Sequence, residues 1–193
     1  MEISTWDWGA IGSFAGAGAT IYAARIALSI SNQWRTQKRS EIVSEIAKKA
    51  YKQRIVYKEK IQDLYPEILK ILSNKKFTED EKKQSLQLKR LVDAMSELTI
   101  TNTELISDLG IISKYYSNKH LEKTIINLNK ERQALDMLIF KVLSIRTNDQ
   151  ELSSDEYNKL SRKIFEKTED MKKIVDSFDL EQHLINYILH TNS

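Results

Sequence analysis

The chain has 193 residues, a net charge of +3 and 30% charged residues, with no cysteine, one proline and five glycines. The absence of cysteine excludes disulfides, thiolate nucleophiles and zinc–thiolate sites. The scarcity of proline and glycine, in a chain rich in Leu, Ile, Lys and Glu, is typical of an all-α protein without flexible linkers.

One stretch near the start, Trp8 to Trp34, is far less charged than the rest of the chain. Its 27 residues carry a single formal charge, Arg25. A helix of this length reaches about 40 Å, which matches a bilayer with its headgroups. The sequence therefore predicts an N-terminal transmembrane helix within residues 1–34 and a cytoplasmic domain over residues 35–193. Aromatic and arginine side chains are the predicted interface anchors: Trp6, Trp8, Arg25, Trp34 and Arg35.

The charges on the two sides of this stretch differ. Glu2 and Asp7 precede it, whereas residues 25–60 carry ten Lys and Arg against three Glu. The positive-inside bias predicts a single-pass protein of the bacterial inner membrane, with its N-terminus outside and its C-terminal domain in the cytoplasm. Two alternative interpretations of the stretch stay open. The first is a cleaved signal peptide, although a signal peptide would need its basic residues before the apolar stretch. The second is a buried helix of a soluble protein.

The small residues of this stretch lie on one side of the helix. Four of the five glycines are here, and Gly12 and Gly16 form a GxxxG pair. Such a face lets another helix approach closely, and the chain has no second apolar segment to supply one. The predicted partner is another copy of the chain, although small residues could also merely tune hydrophobicity. The predicted packing face consists of Gly9, Gly12, Gly16, Ala19, Ala23 and Ala27.

A basic block follows the apolar stretch. Because it begins where the predicted membrane ends, anionic lipid headgroups are its favoured partner. Nucleic acid would be attracted by the same charge but is not favoured, and a solvated helix face is the alternative. The block includes Lys38, Arg39, Lys48, Lys49, Lys52 and Arg54.

The rest of the chain reads as a series of helices. The first continues from the apolar stretch to about residue 72, with a kink or restart expected near Pro66. Capping boxes at Thr78–Glu81 and Ser153–Glu156 mark two later helix starts, and Asn118 begins the helix between them. A terminal segment begins near Asp179. Short polar connections between these helices predict an antiparallel bundle of about four helices.

The clearest repeat runs through the second of these helices at alternating steps of three and four. It is a coiled-coil-like seam with Asn102 in its middle, where a polar residue can fix register. A break between Thr99 and Thr103 is the alternative, since helix-start residues cluster there. The seam comprises Leu88, Leu91, Met95, Leu98, Asn102, Leu105, Leu109 and Ile112.

No motif predicts catalysis. The chain lacks a Gly-rich phosphate loop and a nucleophile elbow, and none of its arginines has the histidine spacing of a HEPN-type nuclease. His183 and His190 share a helix face but lie about 10 Å apart, too far for one metal ion. We therefore expect neither an enzyme nor a cofactor.

One N-terminal span followed by a cytoplasmic helical bundle resembles, in layout, the small membrane-anchored helical accessory proteins of bacterial anti-phage systems, including CRISPR-associated ones that oligomerise into membrane pores. The resemblance covers the arrangement of the whole chain and implies a homo-oligomeric, pore-forming or membrane-perturbing effector. Two other functions stay open. One is a non-conducting scaffold that recruits a soluble partner, and the other is membrane-tethered binding of nucleic acid.

Overall fold

In the computed structural model the chain is described over residues 8–73, 81–148 and 152–189, with side chains from residue 16 onward in the first range and from residue 85 in the second. These residues form four long helices and a shorter C-terminal one, and they contain no strand. The prediction of an all-α protein is confirmed. The helices are α1 (Trp8–Ser73), α2 (Glu81–Tyr116), α3 (Lys119–Thr147), α4 (Ser154–Val175) and α5 (Phe178–Leu189).

Two of the predicted helix starts are capped by side chains. The Asn118 side chain accepts hydrogen bonds from the backbone N–H groups of His120 and Leu121, and so satisfies two free donors of α3. At α4, Ser153 and Glu156 form the reciprocal capping box. Thr78, of the other predicted capping box, lies outside the described residues.

The turn between α2 and α3 is tight and local. Ser117 has φ 50°, in the left-handed region, and the Asn118 N–H donates to the Ser113 carbonyl at 3.0 Å. This is the backbone pattern that closes a helix when the residue after it turns left-handed. It brings the end of α2 directly to the start of α3.

Neither helix ends where a restart or a break was considered. Helix α1 runs through Pro66 without a restart. Pro66 and Gln62, whose carbonyl loses its bond, are both exposed, so water can replace that bond.

Helix α2 is likewise continuous across its threonine-rich middle, from Glu81 to Tyr116. The hydroxyls of Thr99, Thr101 and Thr103 donate to carbonyls four residues earlier instead of capping a new helix.

Polar contacts give the directions of the first three helices within the bundle. Later residues of α1 contact earlier residues of α2, so these two helices are antiparallel. Helix α3 runs parallel to α1 and antiparallel to α2. The pairs are Lys49–Asp108 and Lys60–Glu97 for α1 and α2, Thr99–Arg132 for α2 and α3, and Leu72–Arg146 for α1 and α3.

Helices α4 and α5 together form the fourth member of the bundle. Both run antiparallel to α1, and the break between them falls at Asp176 and Ser177. A bundle of about four antiparallel helices is therefore what the structure has, with its last member in two pieces. The pairs along α1 are Tyr65–Phe165, Lys58–Asp176, Tyr51–Glu181 and Ser44–Ile188.

The core lies between these helices. It takes side chains from the second half of α1 and from every later helix. Fully burying a leucine or isoleucine contributes roughly 1.5–3 kcal/mol, so this cluster is the main source of the bundle's stability. The predicted seam of α2 supplies Leu91, Leu98, Leu105, Leu109 and Ile112, all fully buried, with Leu88 and Met95 half-buried.

The chain divides into two compact units, residues 1–42 and 43–193. The predicted boundary is at residue 34. Helix α1 contributes to both units, and the bundle just described belongs entirely to the second one.

The predicted transmembrane helix finds no support in the described residues. Among them, no helix is both long enough and apolar enough to cross a membrane. Glycine and alanine give this part of α1 a weak hydrophobicity, and Arg25 interrupts it. The side chains of residues 8–15, which belong to the predicted span, lie outside the described part.

Candidate functional site

The first unit presents an exposed apolar helix. From residue 16 to 42, every α1 side chain is exposed except Ser31 and Ser40, which are half-buried. Large apolar side chains are included, with Ile21 71% exposed, Leu28 65% and Trp34 65%. Exposed apolar surfaces are typical of sites that bind a protein or a membrane.

The small-residue flank of this helix is also uncovered. Gly16, Ala19, Ala23 and Ala27 are exposed, whereas the side chains of the predicted Gly9 and Gly12 are outside the described part. A Cβ atom added at Gly16 or Gly18 would meet nothing within 4 Å. Nothing in the described chain packs against these glycines.

The predicted interface anchors can be placed in part. Arg25, Trp34 and Arg35 are exposed, whereas Trp6 and the Trp8 side chain are outside the described residues. In the described residues, neither Arg25 nor Arg35 takes part in an ion pair, so their charges are open to solvent or to a partner.

The predicted basic block is divided between the two units. In the first unit Lys38 pairs with Glu41, and Arg39 is exposed without an ion pair in the described chain.

In the second unit, three members of the block have acidic partners. Lys48 pairs with Glu45 at 2.7 Å and Lys49 with Asp108 at 3.2 Å. Arg54 is buried and binds Glu181, which leaves Lys52 as the member of this part with a free exposed charge. Arg54 therefore serves the bundle rather than a surface.

Polar side chains form a layer inside the bundle, level with residues 53–57 of α1. Asn102 of the predicted seam is 7% exposed, and its Oδ1 has no hydrogen-bond partner in the described residues. Gln53 donates to Glu104 at 2.9 Å across α1 and α2. Buried polar groups of this kind restrict which registers a bundle can adopt, because any shift would leave more of them unsatisfied.

Arg132 is the most deeply placed charge of this layer. It is 6% exposed, forms an ion pair with Asp136, and donates to the Thr99 hydroxyl at 2.8 Å. Burial raises the pKa of Tyr57 and lowers the pKa of Arg132, and each partly offsets the other's shift through its charge. In the sequence, Arg132 is a single charge among the regularly spaced apolar residues of α3.

A second polar cluster joins α5 to α1. Glu181 accepts a hydrogen bond from the Tyr51 hydroxyl at 3.1 Å and pairs with Arg54 at 3.3 Å. The Arg54 guanidinium also lies over the Tyr51 ring, 4.9 Å from its centroid. First Arg54 and then Tyr51 lower the pKa of Glu181 below its ordinary value of 4.5.

This contact predicts an acid dependence of stability. A lowered pKa in the folded state stabilises the fold above the unfolded value, and the contribution is lost as pH falls through the folded pKa. We expect Glu181→Gln to be less stable than the parent at pH 7, and the gap to close below about pH 4.5. Urea unfolding of both proteins between pH 3 and pH 7 measures this, and a gap that stays constant contradicts it.

An aromatic and histidine cluster lies where α5 meets the α2–α3 turn. The rings of His120 and His183 are 5.1 Å apart, and the Tyr116 and Tyr187 rings stack at 4.3 Å. Asn118 donates to the Tyr187 hydroxyl at 2.6 Å. The sequence directed attention to His183 with His190, which lies outside the described residues, and could not indicate the distant His120. In the described part, no three His, Asp or Glu side chains could together hold a metal ion.

A cavity of about 490 Å³ lies beside the end of α1. Its wall includes Leu72, Leu152, Tyr157 and the buried Arg146. The Arg146 guanidinium donates to the last carbonyls of α1, at 3.1 Å to Ile71, and so completes the end of that helix. The hydrogen bonds of Arg146 therefore give it a structural role.

No protein-family model, curated protein or solved structure was found to match this chain. The layout resemblance to membrane-anchored accessory proteins of anti-phage systems therefore stays a prediction. The features that bear on function are those of the chain itself: an uncovered apolar helix in the first unit and a closed helical bundle in the second.

Proposed function

We propose that this protein is a homo-oligomeric membrane protein whose N-terminal helices pack together in the bilayer, while the helical bundles lie in the cytoplasm. The supporting observation is the exposure of the apolar α1 surface from residue 16 to 34. Water is a poor solvent for such a surface, so lipid or another protein has to cover it. The two flanks of the helix would contact different partners.

The small flank is covered by other copies. Gly16, Ala19, Ala23 and Ala27 let two helix backbones approach closely, and such contacts supply the packing that lipid tails cannot. The opposite flank, with Ile21 and Tyr22, then meets lipid.

Assembly would also make it possible for so weakly hydrophobic a helix to lie in the bilayer. A single copy would expose glycine backbone and Arg25 to hydrocarbon, which is unfavourable. In an oligomer the glycine flank is buried against protein, and Arg25 can extend along its stem to the interface. Insertion and self-association are therefore coupled in this proposal.

The proposed activity is to open a pore in the bacterial inner membrane or to perturb it, as an effector or accessory of antiviral defence, in line with the layout resemblance. The N-terminus would lie outside, and the exposed Arg35 and Arg39 would meet the anionic lipid surface. No catalytic group takes part.

Replacing both Gly12 and Gly16 by leucine should abolish the oligomer that the N-terminal helices form. The leucines would hold the helices apart without weakening them, because leucine favours helix more than glycine does. Chemical crosslinking of the purified full chain in mild detergent measures this. We expect bands larger than a dimer for the parent and none larger than a dimer for the variant.

A matched control carries two leucines on the opposite flank, Phe14→Leu with Ile21→Leu, and should crosslink like the parent. Unchanged oligomers in the double glycine variant would contradict the packing face. A chain that stays monomeric in aqueous buffer without detergent would contradict membrane association itself.

Dye release from liposomes separates a pore from an inert anchor. The parent is expected to release dye from vesicles containing anionic lipid, and the Gly12→Leu, Gly16→Leu variant is not. Stable oligomers in vesicles that release no dye would contradict the pore and favour the scaffold.

A further inference from the structure

Helix α2 carries a second stripe, on the face turned away from the core. Its side chains are all exposed, including Val92 at 53%, Ile100 at 59% and Ile111 at 46%. Between these apolar residues lie small ones. In chain order the stripe reads Val92, Ser96, Ile100, Thr103, Ser107 and Ile111.

The spacing of this stripe fits another helix. Its members recur at steps of three and four, which is the pattern of a helix seam. No charge interrupts it over 20 residues, in a chain of which 30% is charged. Gly110, at the edge of the stripe, has open space where a Cβ would lie.

We propose that this stripe pairs antiparallel with the same stripe of a second copy, about a two-fold axis between Thr103 and Glu104. A two-fold contact must be self-complementary, and this one sets large against small. Ile100 meets the partner's Ser107, and Ile111 meets the partner's Ser96. Each large side chain thereby fills the space left by a small one.

Charge supports the same pairing. Asp93 and Lys114 border the stripe at its two ends, both exposed and neither in an ion pair within the described part of the chain. The same axis places Asp93 against the partner's Lys114, twice in the dimer. A parallel pairing would instead set each of these charges against its own kind, which is unfavourable.

Glu104 beside the axis does not oppose the contact. Its carboxylate accepts a hydrogen bond from Gln53 on α1 at 2.9 Å. That bond draws the charge sideways, away from the axis, toward the neighbouring helix.

This contact is independent of the proposed membrane function, since it uses the bundle and not the N-terminal helix. It should form equally in the parent and in the Gly12→Leu, Gly16→Leu background. Failure of one interface therefore leaves the other standing, and the two experiments report on different surfaces.

Because the chain has no cysteine, an introduced cysteine can form a disulfide only with another introduced cysteine. A disulfide needs Cα atoms within about 7 Å. Thr103→Cys lies beside the axis and should form covalent dimers on mild oxidation. Val92→Cys should not, because the two copies would hold it about 35 Å apart along the helices. Mixing Val92→Cys with Tyr115→Cys should restore the dimer.

Other outcomes overturn the pairing. Efficient Val92→Cys homodimers would show a parallel contact. Trapping at Met137→Cys on α3, which is 74% exposed, with none at Thr103→Cys would place any contact on another face. The exposed Lys159→Cys on α4 measures random collision, and a Thr103→Cys yield no higher than this would end the proposal.

Charge reversal gives a test without oxidation. Asp93→Lys or Lys114→Asp alone should weaken dimerisation several-fold at low salt, and the two together should restore it. Sedimentation of the full chain in detergent, in the Gly12→Leu, Gly16→Leu background, measures the change. No rescue by the double reversal would contradict the antiparallel register.

Discussion

Replacing Arg132 by alanine is expected to lower the free energy of unfolding by about 3 kcal/mol, the cost of breaking a buried ion pair from one side. Arg132 is 6% exposed, and its guanidinium bonds both Asp136 and the Thr99 hydroxyl. Its removal leaves the Asp136 carboxylate without its cation and opens a void beside the buried Tyr57. Chemical denaturation of the full chain in detergent measures the loss.

The chain offers a matched control. Arg162 also pairs with an acid four residues later, Glu166, but its side chain is 81% exposed. Arg162→Ala should change stability by no more than about 0.5 kcal/mol, because water screens the pair. Equal losses for Arg132→Ala and Arg162→Ala would contradict the buried role. Arg132→Met, which fills similar volume without charge, should lose less than alanine.

Replacing Leu128 by alanine is expected to cost about 3 kcal/mol. Leu128 is fully buried in the core, and alanine would leave a cavity that neighbouring helices cannot close without moving. For a bundle of this size that is a large share of the total stability. Thermal or urea unfolding followed by circular dichroism measures it.

Ile126, two residues earlier on the same helix and 65% exposed, is the control for Leu128. Ile126→Ala should shift stability by no more than about 0.5 kcal/mol. A Leu128→Ala loss as small as the Ile126→Ala loss would mean that α3 does not face the core as described.

The order of helices and the core could be predicted because they depend on local signals. The seam of α2 faces inward as its period requires, and Asn118 and Ser153 cap helices where their side chains suggest. Both features depend on residues within one or two turns of each other, which is the range over which sequence patterns are informative.

What the sequence could not indicate depends on residues far apart in the chain. The Arg132–Thr99 bond and the His120–His183 contact join segments 33 and 63 residues apart. The solvent exposure of individual residues could not be predicted either. Pro66 is tolerated in α1 because it lies on the solvent-exposed face, and the apolar periodicity alone did not distinguish a tolerated proline from a helix break.

The division of the fourth member into α4 and α5 has a consequence for how the bundle comes apart. Helix α5 has 12 residues and buries only Leu180 and Leu184 fully, while polar contacts such as Tyr51–Glu181 hold much of its length. So short a helix has little cohesion of its own, and the bend at Ser177 separates it from the longer α4. Helix α5 should therefore detach before the rest of the bundle and expose the flank of α1 around Ala47, while helices α1 to α4 stay packed together.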